Sequence, residues 1–530
     1  RCHTELGKET ALQIAPFITE EVIKIELGKT AEYLSSLVSE NRIPNHGFDS
    51  INADLKLLKI ENTTLELQGF KRIASICLTV AQHQKFFKKF KDYYPLLNDF
   101  AVKLEPNTEI PNLINGVIDR FGEVKDNASD QLFAIRRQIN AVRGKISQSF
   151  GAALNTYQAS DYLDEIRESV VENRRVLAVK AMYRKKIKGA VMGTSKTGSI
   201  VYIEPEAALK YSRELNNLEF EEKEEVQRIL KLLTSQIRPF RALLSAYQEF
   251  LTQIDVIAAK AKYAEDINAL MPEINADNRL YLREAYHPLL FLNNKRKGEK
   301  TFPQTIELHQ ENRIIVISGP NAGGKSITLK TIGLLQVMLQ SGMLIPVHER
   351  SEVCFFKKIL TDIGDNQSIE NHLSTYSYRL KNMNQFLKRC DDNTLFLIDE
   401  FGTGSDPELG GALAEAFLEV FYERGSYGVI TTHYANLKAL ANELPHVTNA
   451  NMLFDGKTLE PTFQLILGQA GSSFTFEVAQ KNGIPYSLIN KAKKKIERGK
   501  VRFDATIAKL QKERNKMAQT GSRLKEEEDK

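Results

Sequence analysis

No tryptophan occurs in the 530 residues, and cysteine occurs only four times, at Cys2, Cys77, Cys354 and Cys390. The missing tryptophan carries no functional reading. The cysteines are scattered without metal-ligand spacing, which argues for a reducing compartment, with the cytoplasm expected, and against a zinc site. No apolar run reaches membrane-spanning length and no charged-then-apolar leader opens the chain, so no membrane partner is expected. A large excess of one charge sign is lacking too. The net charge of +5 is too small to imply a nucleic-acid partner by itself, so the placement of the cations matters more than their sum. What remains is an ordinary composition, 42% hydrophobic and 26% charged, with length for about three or four domains.

The chain is organised around one stretch. The β-branched run Ile314-Ile315-Val316-Ile317-Ser318 leads into Gly319-Pro320-Asn321-Ala322-Gly323-Gly324-Lys325-Ser326, and an apolar helix pattern follows. Strand, G-x-x-x-x-G-K-S loop and helix together form the context a phosphate-binding loop requires. Gly319, Gly323 and Gly324 let the backbone curl so that its N–H groups and the helix N-terminus converge on phosphate oxygens. Lys325 reaches the terminal phosphates, and the Ser326 hydroxyl can ligate Mg²⁺.

Upstream, residues to about Pro111 read as packed helices, at 20–40 and again from Leu65 to about Asp92. From about Ala128 a longer helix carries Leu132, Ile135, Ile139, Val142, Ile146 and Phe150 at spacings of three and four. Arg136, Arg137, Arg143 and Lys145 read as its solvated face. Period-two strands follow at 175–180, 188–192 and 198–204. Cations crowd them: Arg174, Arg175, Lys180, Arg184, Lys185, Lys186, Lys188 and Lys196, with Tyr183 and Tyr202 interleaved. Lysines are common on hairpin surfaces, but this density suits a phosphate backbone, each contact adding salt-sensitive affinity. A long helical run starts near Glu206, is interrupted at Pro239 and then resumes. So long a helix beside a small β insert suggests a lever carrying a tip. Near His287-Pro288-Leu289-Leu290 the composition turns to β and opens the nucleotide domain.

Downstream, Asn393-Thr394-Leu395-Phe396-Leu397-Ile398-Asp399-Glu400 reads as a buried parallel strand ending in two acids, where ligands gather in an open α/β sheet. Asp399 is placed to hold Mg²⁺ through water, and Glu400 to orient or deprotonate the attacking water. Gly402-Thr403-Gly404-Ser405-Asp406-Pro407 reads as a flexible loop before a helix, and a further strand delivers His433 within reach of the γ-phosphate. Ser374 and Thr375 stand where a helix N-cap belongs, again an anion-binding end. No acceptor-substrate pocket is evident, so hydrolysis is favoured over kinase chemistry.

With these motifs the chain resembles the MutS family of DNA mismatch-repair ATPases, most closely its type II bacterial branch, which lacks the mismatch-reading domain. The resemblance rests on 319–326 (Walker A), on 362–377 with Leu373-Ser374-Thr375-Tyr376, on 395–406 (Walker B) and on Thr431-Thr432-His433-Tyr434. Glu5-Leu6-Gly7-Lys8-Glu9, Tyr202-Ile203-Glu204-Pro205 and Arg283-Glu284-Ala285-Tyr286-His287-Pro288 fit the type II pattern as well. It implies a multidomain α + α/β protein. A helical core (1–127) would lead to a lever helix with a basic clamp-like β element (128–205) and returning helices (206–280). An ABC-type P-loop ATPase (281–465), a helix-turn-helix dimerisation segment (466–498) and the start of a coiled coil (499–530) would follow. ATP and Mg²⁺ are the implied cofactors. The implied assembly is a head-to-tail homodimer in which Ser374 donates to the γ-phosphate in the partner's site.

Type II proteins usually continue into a nuclease domain. Here the sequence stops at Lys530, after a charged helix at Phe503, Ile507, Leu510 and Met517, and no nuclease chemistry is visible, so no cleavage by this chain is expected. Two targets fit the resemblance: branched or recombination-intermediate DNA, whose recombination the clamp would restrain, or stalled and collided ribosomes. A purely structural, ATP-locked dimer is disfavoured by the intact Glu400 and His433.

Overall fold

The computed structural model describes residues 1–320, 324–364, 375–403, 406–455, 458, 460–495, 505–510, 512–513 and 516–517. The expected loop residues Asn321, Ala322 and Gly323, the signature residue Ser374, and Gly404 and Ser405 lie outside them, as does most of the C-terminal coil.

The first residues build a helical body. Helices Glu20–Leu37, Leu67–Lys89, Pro95–Val102 and Glu109–Val117 pack with Arg241–Asp266 around Phe70, Ile73, Phe87, Phe250 and Ile254, all buried. Asp255 ties the chain's start to this body. Its fully buried carboxylate accepts from the Thr4 hydroxyl (2.6 Å) and the backbone N–H of His3 and Thr4, and pairs with His46 Nε2 at 2.9 Å. Four partners offset the desolvation of that charge.

Two long antiparallel helices, Asp130–Ala159 and Glu206–Ile237, project from the body as an arm. Leu132, Ile229, Leu230 and Leu233 root it in the body core, and Ile135, Ile139, Val142 and Leu218 form its own seam. Two of the arginines read as a solvated face, Arg136 and Arg143, pair across this seam instead. Arg136 reaches Glu222 at 2.7 Å and Asp126 at 2.6 Å, and Arg143 reaches Glu219 at 3.0 Å. A single-helix reading cannot see the second helix that supplies Glu222 and Glu219.

Between the arm helices sits a four-stranded antiparallel sheet in the order Leu163–Val171, Arg174–Lys180, Ile200–Pro205, Gly189–Thr194. Leu177, Val179, Val201 and Ile203 pack its core against Phe150. The strand Leu163–Val171 was not anticipated. A bulge shifts its register between Leu163 and Glu168, and Arg167 sits at φ 62°, which erases the period-two signal. Arg184, Lys185 and Lys186, expected beside strands, lie on a 3₁₀ turn, Ala181–Lys186.

The α/β unit carries a six-stranded sheet in the order Lys358–Asp362, Thr394–Ile398, Tyr427–Thr431, Ile314–Ser318, Val447–Asp455, Glu460–Leu467, the first five parallel and the last antiparallel. Alternate side chains of each central strand face opposite layers. Ile315, Ile317, Leu395, Leu397 and Val429 meet helix Lys325–Gln340. Ile314, Val316, Phe396, Ile398 and Ile430 meet Thr375–Arg389, Pro407–Glu423 and Ala435–Glu443. Both faces are covered, which is why these strands read as unbroken apolar runs. The expected β onset at His287 is corrected: strands Glu273–Ile274 and Leu280–Ala285 precede it, and Pro288 opens a helix, Pro288–Lys297, in the first-turn position proline favours. Helices Thr475–Lys481 and Tyr486–Lys495 follow the sheet. Among the described residues no helix is long and apolar enough to cross a membrane.

Candidate nucleotide site and basic tip

The parallel strands place their chemistry at one sheet edge. Ile314–Ser318 ends at Gly319, whose φ of 131° only glycine adopts readily, and Gly324 (φ 91°) turns the chain into helix Lys325–Gln340. Lys325 is 3% exposed and its ammonium folds back onto the Gly319 carbonyl. Ser326 follows at the first turn, half-buried.

Strand Thr394–Ile398 delivers the acids one residue later than its last paired position. Asp399 is buried and its Oδ1 accepts from the Thr431 hydroxyl at 2.6 Å. The same hydroxyl accepts from the Glu400 N–H at 2.8 Å, so one threonine on the neighbouring strand fixes both acids. Glu400 stands at φ 50°, a left-handed conformation that costs a non-glycine residue about 1 kcal/mol or more and here aims its side chain out of the strand. His433 follows Thr431-Thr432, and its buried Nε2 has no hydrogen-bond partner among the described residues. An orphaned ring nitrogen beside a buried ammonium is what an anionic substrate would satisfy. The buried acid and the adjoining loop serine offer the hard oxygen donors that Mg²⁺ requires.

The expected flexible loop after the acids is tight where it is described. Gly402 (φ 86°) lies between Tyr434 and helix Pro407–Glu423, so that an added Cβ would come within 2.9 Å of the Gly410 carbonyl oxygen, and Tyr434 Oη donates to the Gly402 carbonyl at 3.0 Å. Asp406 then caps the helix by accepting from the N–H of Glu408 and Leu409.

Several contributors escaped the sequence reading. Lys438, 5% exposed, donates to the Gly471 carbonyl at 2.8 Å, while Gly471 N–H donates to Ser318 Oγ at 2.6 Å. The segment leading to the C-terminal helices is thereby pinned to the phosphate-loop strand. Phe302 and Phe463 stack at 5.3 Å beside Gly324, Phe302 remaining 41% exposed. Arg379, 9% exposed, donates to the carbonyls of Asp399 and Glu400. For Arg379 a signal existed. It occupies the same helical stripe as the buried Met383, Phe386 and Cys390, and a cation on an apolar stripe requires buried acceptors.

Burial pushes the Lys325 ammonium down to about 8, against the pull of Asp399 and Glu400 and with help from Lys438. Phosphate would favour the charged form, so binding above this value must take up a proton. ATP affinity is therefore expected to fall as pH rises from 7 to 9. Titration of a fluorescent ATP analogue would show it, and an affinity flat across that range would count against this role. Burial, then Lys325 and Lys438, lowers His433 to about 4, which leaves the ring neutral throughout the same range.

At the arm's tip the basic residues divide. Arg174 pairs with buried Glu204 at 3.0 Å, Arg175 with Glu168 at 2.6 Å, and Lys180 with Asp161 at 3.2 Å. These three are held in ion pairs within the tip itself. Arg184, Lys185, Lys186, Lys188 and Lys196 are exposed, and no ion pair holds them among the described residues.

Residues 315–499 match the family profile described as MutS domain V. The protein named Endonuclease MutS2 in Geobacillus sp. (strain WCH70) is 35% identical over 528 residues, covering 99% of this chain and 66% of that protein. The chain belongs to the MutS family, in its type II branch. Endonuclease MutS2 of Ligilactobacillus salivarius (strain UCC118) is 36% identical over 496 residues, 92% of this chain and 62% of the relative. Putative endonuclease MutS2 of Bacillus subtilis (strain 168) is 34% identical over 511 residues, 96% and 64% respectively. This MutS-family chain thus spans just under two thirds of the length of these curated relatives, and its match to them extends across helical body, arm and α/β unit alike.

Proposed function

We propose that this MutS-family chain is an ATP-hydrolysing dimeric clamp on DNA, taking branched or recombination intermediates and restraining their recombination, with nucleotide state controlling the clamp. The observation that carries this reading is the convergence of Lys325, Asp399, Glu400 and His433 at one end of the parallel strands, in a chain that also exposes Arg184, Lys185, Lys186, Lys188 and Lys196 at the end of a long arm. Lys325 and the loop N–H groups would hold the ATP phosphates, Phe302 and Phe463 would offer a face to the base, and Glu400 would accept the proton of the attacking water. Neutral His433 would donate from Nε2 to the γ-phosphate. Ser326 and Asp399 would hold Mg²⁺, which when bound neutralises charge on the leaving phosphates. Exposed Ile484 in the turn between the C-terminal helices, with exposed Tyr486 and Leu488 on the second of them, supports a second copy as the partner of that segment.

The test is ATP turnover and affinity measured with four-way-junction DNA, linear duplex and purified ribosomes over a salt series. Charge reversal of Lys185, Lys186 and Lys188 to Glu is expected to weaken junction binding at least tenfold. It should also flatten the log–log salt dependence by about 2 to 3, leaving basal hydrolysis unchanged. Undiminished binding would remove the clamp reading. Tight ribosome binding with only salt-fragile DNA binding would move the target to the ribosome.

A further inference from the structure

We propose that Arg379 is a positioning residue for Glu400, gripping the main chain of the acidic turn so that the seating of helix Thr375–Arg389 sets the rate of hydrolysis. The inference rests on the ATPase reading above.

One guanidinium nitrogen, Nη1, shares its two N–H groups among three acceptors, the Asp399 carbonyl at 3.1 Å, the Glu400 carbonyl at 2.8 Å and Thr403 Oγ1 at 3.0 Å. All three acceptors belong to a single turn. On the other side of that turn Thr431 Oγ1 accepts the Glu400 N–H, so both ends of the Glu400 residue are held by directional bonds from different elements. One helical turn beyond Arg379, Asn382 donates to Asp362 Oδ1 at 3.1 Å, and the Asp362 carbonyl accepts from Asp399 N–H at 2.8 Å. Arg379 and Asn382 therefore lie on the same helix face, and each grips the end of one of two adjacent strands.

Simple attachment of the helix does not call for this arrangement. Met383 and Phe386, buried on the same helix, already pack it onto the sheet. Burying a guanidinium is costly unless its donors are satisfied, and here the acceptors chosen are the carbonyls that flank the base. Apolar packing tolerates sliding, whereas hydrogen bonds fix the direction of the peptide planes and hence the aim of the Glu400 side chain. Errors of about 1 Å in such aim can cost about 10²-fold in rate. The left-handed φ of Glu400 supplies the reason a grip is needed, because a strained residue persists only where its surroundings over-determine it.

The experiment compares Arg379→Met and Arg379→Lys with the parent chain, reading kcat, KM, affinity for a fluorescent ATP analogue and melting temperature. Arg379→Met is expected to lower kcat by about 10- to 100-fold with nucleotide affinity within about threefold. Lysine, which keeps the charge but not the fork, should recover part of the loss. Combined with Glu400→Gln, Arg379→Met should cost almost nothing further in single-turnover hydrolysis, because it acts through Glu400. Unchanged kcat, a parallel fall in affinity, or full additivity with Glu400→Gln would overturn the proposal. Should the Met variant melt below the assay temperature, Arg379→Lys decides: reduced kcat at parental melting temperature supports it, and parental kcat overturns it. A parent chain that neither binds nor hydrolyses ATP would overturn the nucleotide reading and Arg379's role together, whereas an active parent indifferent to Arg379 overturns only the latter.

Discussion

Glu400→Gln is expected to slow ATP turnover by roughly 10² to 10⁴-fold while the chain keeps, or tightens, its hold on ATP. The amide preserves the side chain's size and can still orient a water, but it cannot take that water's proton. Nothing in the turn should move, because the bonds that set it run through the main chain: Thr431 to the Glu400 N–H, and Arg379 to its carbonyl. The loss should therefore fall on kcat and spare affinity, the pattern of a group that acts only in the transition state. Single-turnover hydrolysis beside equilibrium nucleotide binding would measure both. Turnover left at the parental rate would transfer the base role away from Glu400.

Lys325→Met should have the other large effect, with opposite signs on binding and stability. Holding this ammonium in a site with 3% exposure costs about 3 kcal/mol at neutral pH, given its fall to about 8. Because the folded-state value is depressed, that penalty is fully present below about 8 and fades as pH rises toward the unfolded value. Methionine keeps most of the volume and removes the charge. Its gain is offset in part by the Gly319 carbonyl that Lys325 no longer satisfies. The nucleotide-free variant should melt at or above the parental temperature, and its melting should no longer rise with added ATP, since the cation proposed to meet the phosphates is gone. A variant that still shows the parental ATP-induced rise would exclude Lys325 from phosphate contact.

The residues proposed for the chemistry were legible because each is announced by local sequence. The loop glycines, Lys325, the acids that end an apolar run, and His433 behind Thr431-Thr432 all sit at strand ends that hydrophobicity alone locates. The residues that position them were mostly illegible, because their partners lie far away in sequence. Thr431 serves Asp399, Lys438 serves Gly471, and Arg379 serves a turn some twenty residues downstream. The charged arm failed for the same reason: Arg136 and Arg143 read as solvated until a helix from residue 206 onward supplies Glu222 and Glu219. Local errors had local causes, a bulge at Arg167 that breaks alternation and a proline at 288 that starts a helix in a segment read as strand.

The arm also has a mechanical consequence. At about 1.5 Å per residue, helix Asp130–Ala159 alone is about 45 Å long. Its cross-seam ion pairs and apolar seam to Glu206–Ile237 make the pair bend less than either helix would. A tilt of about 5° at its root would sweep the tip through about 4 Å, close to the axial rise of about 3.4 Å per nucleotide of a DNA strand. In the proposed clamp, a tilt of that size would be enough to change which phosphate the tip's lysines meet.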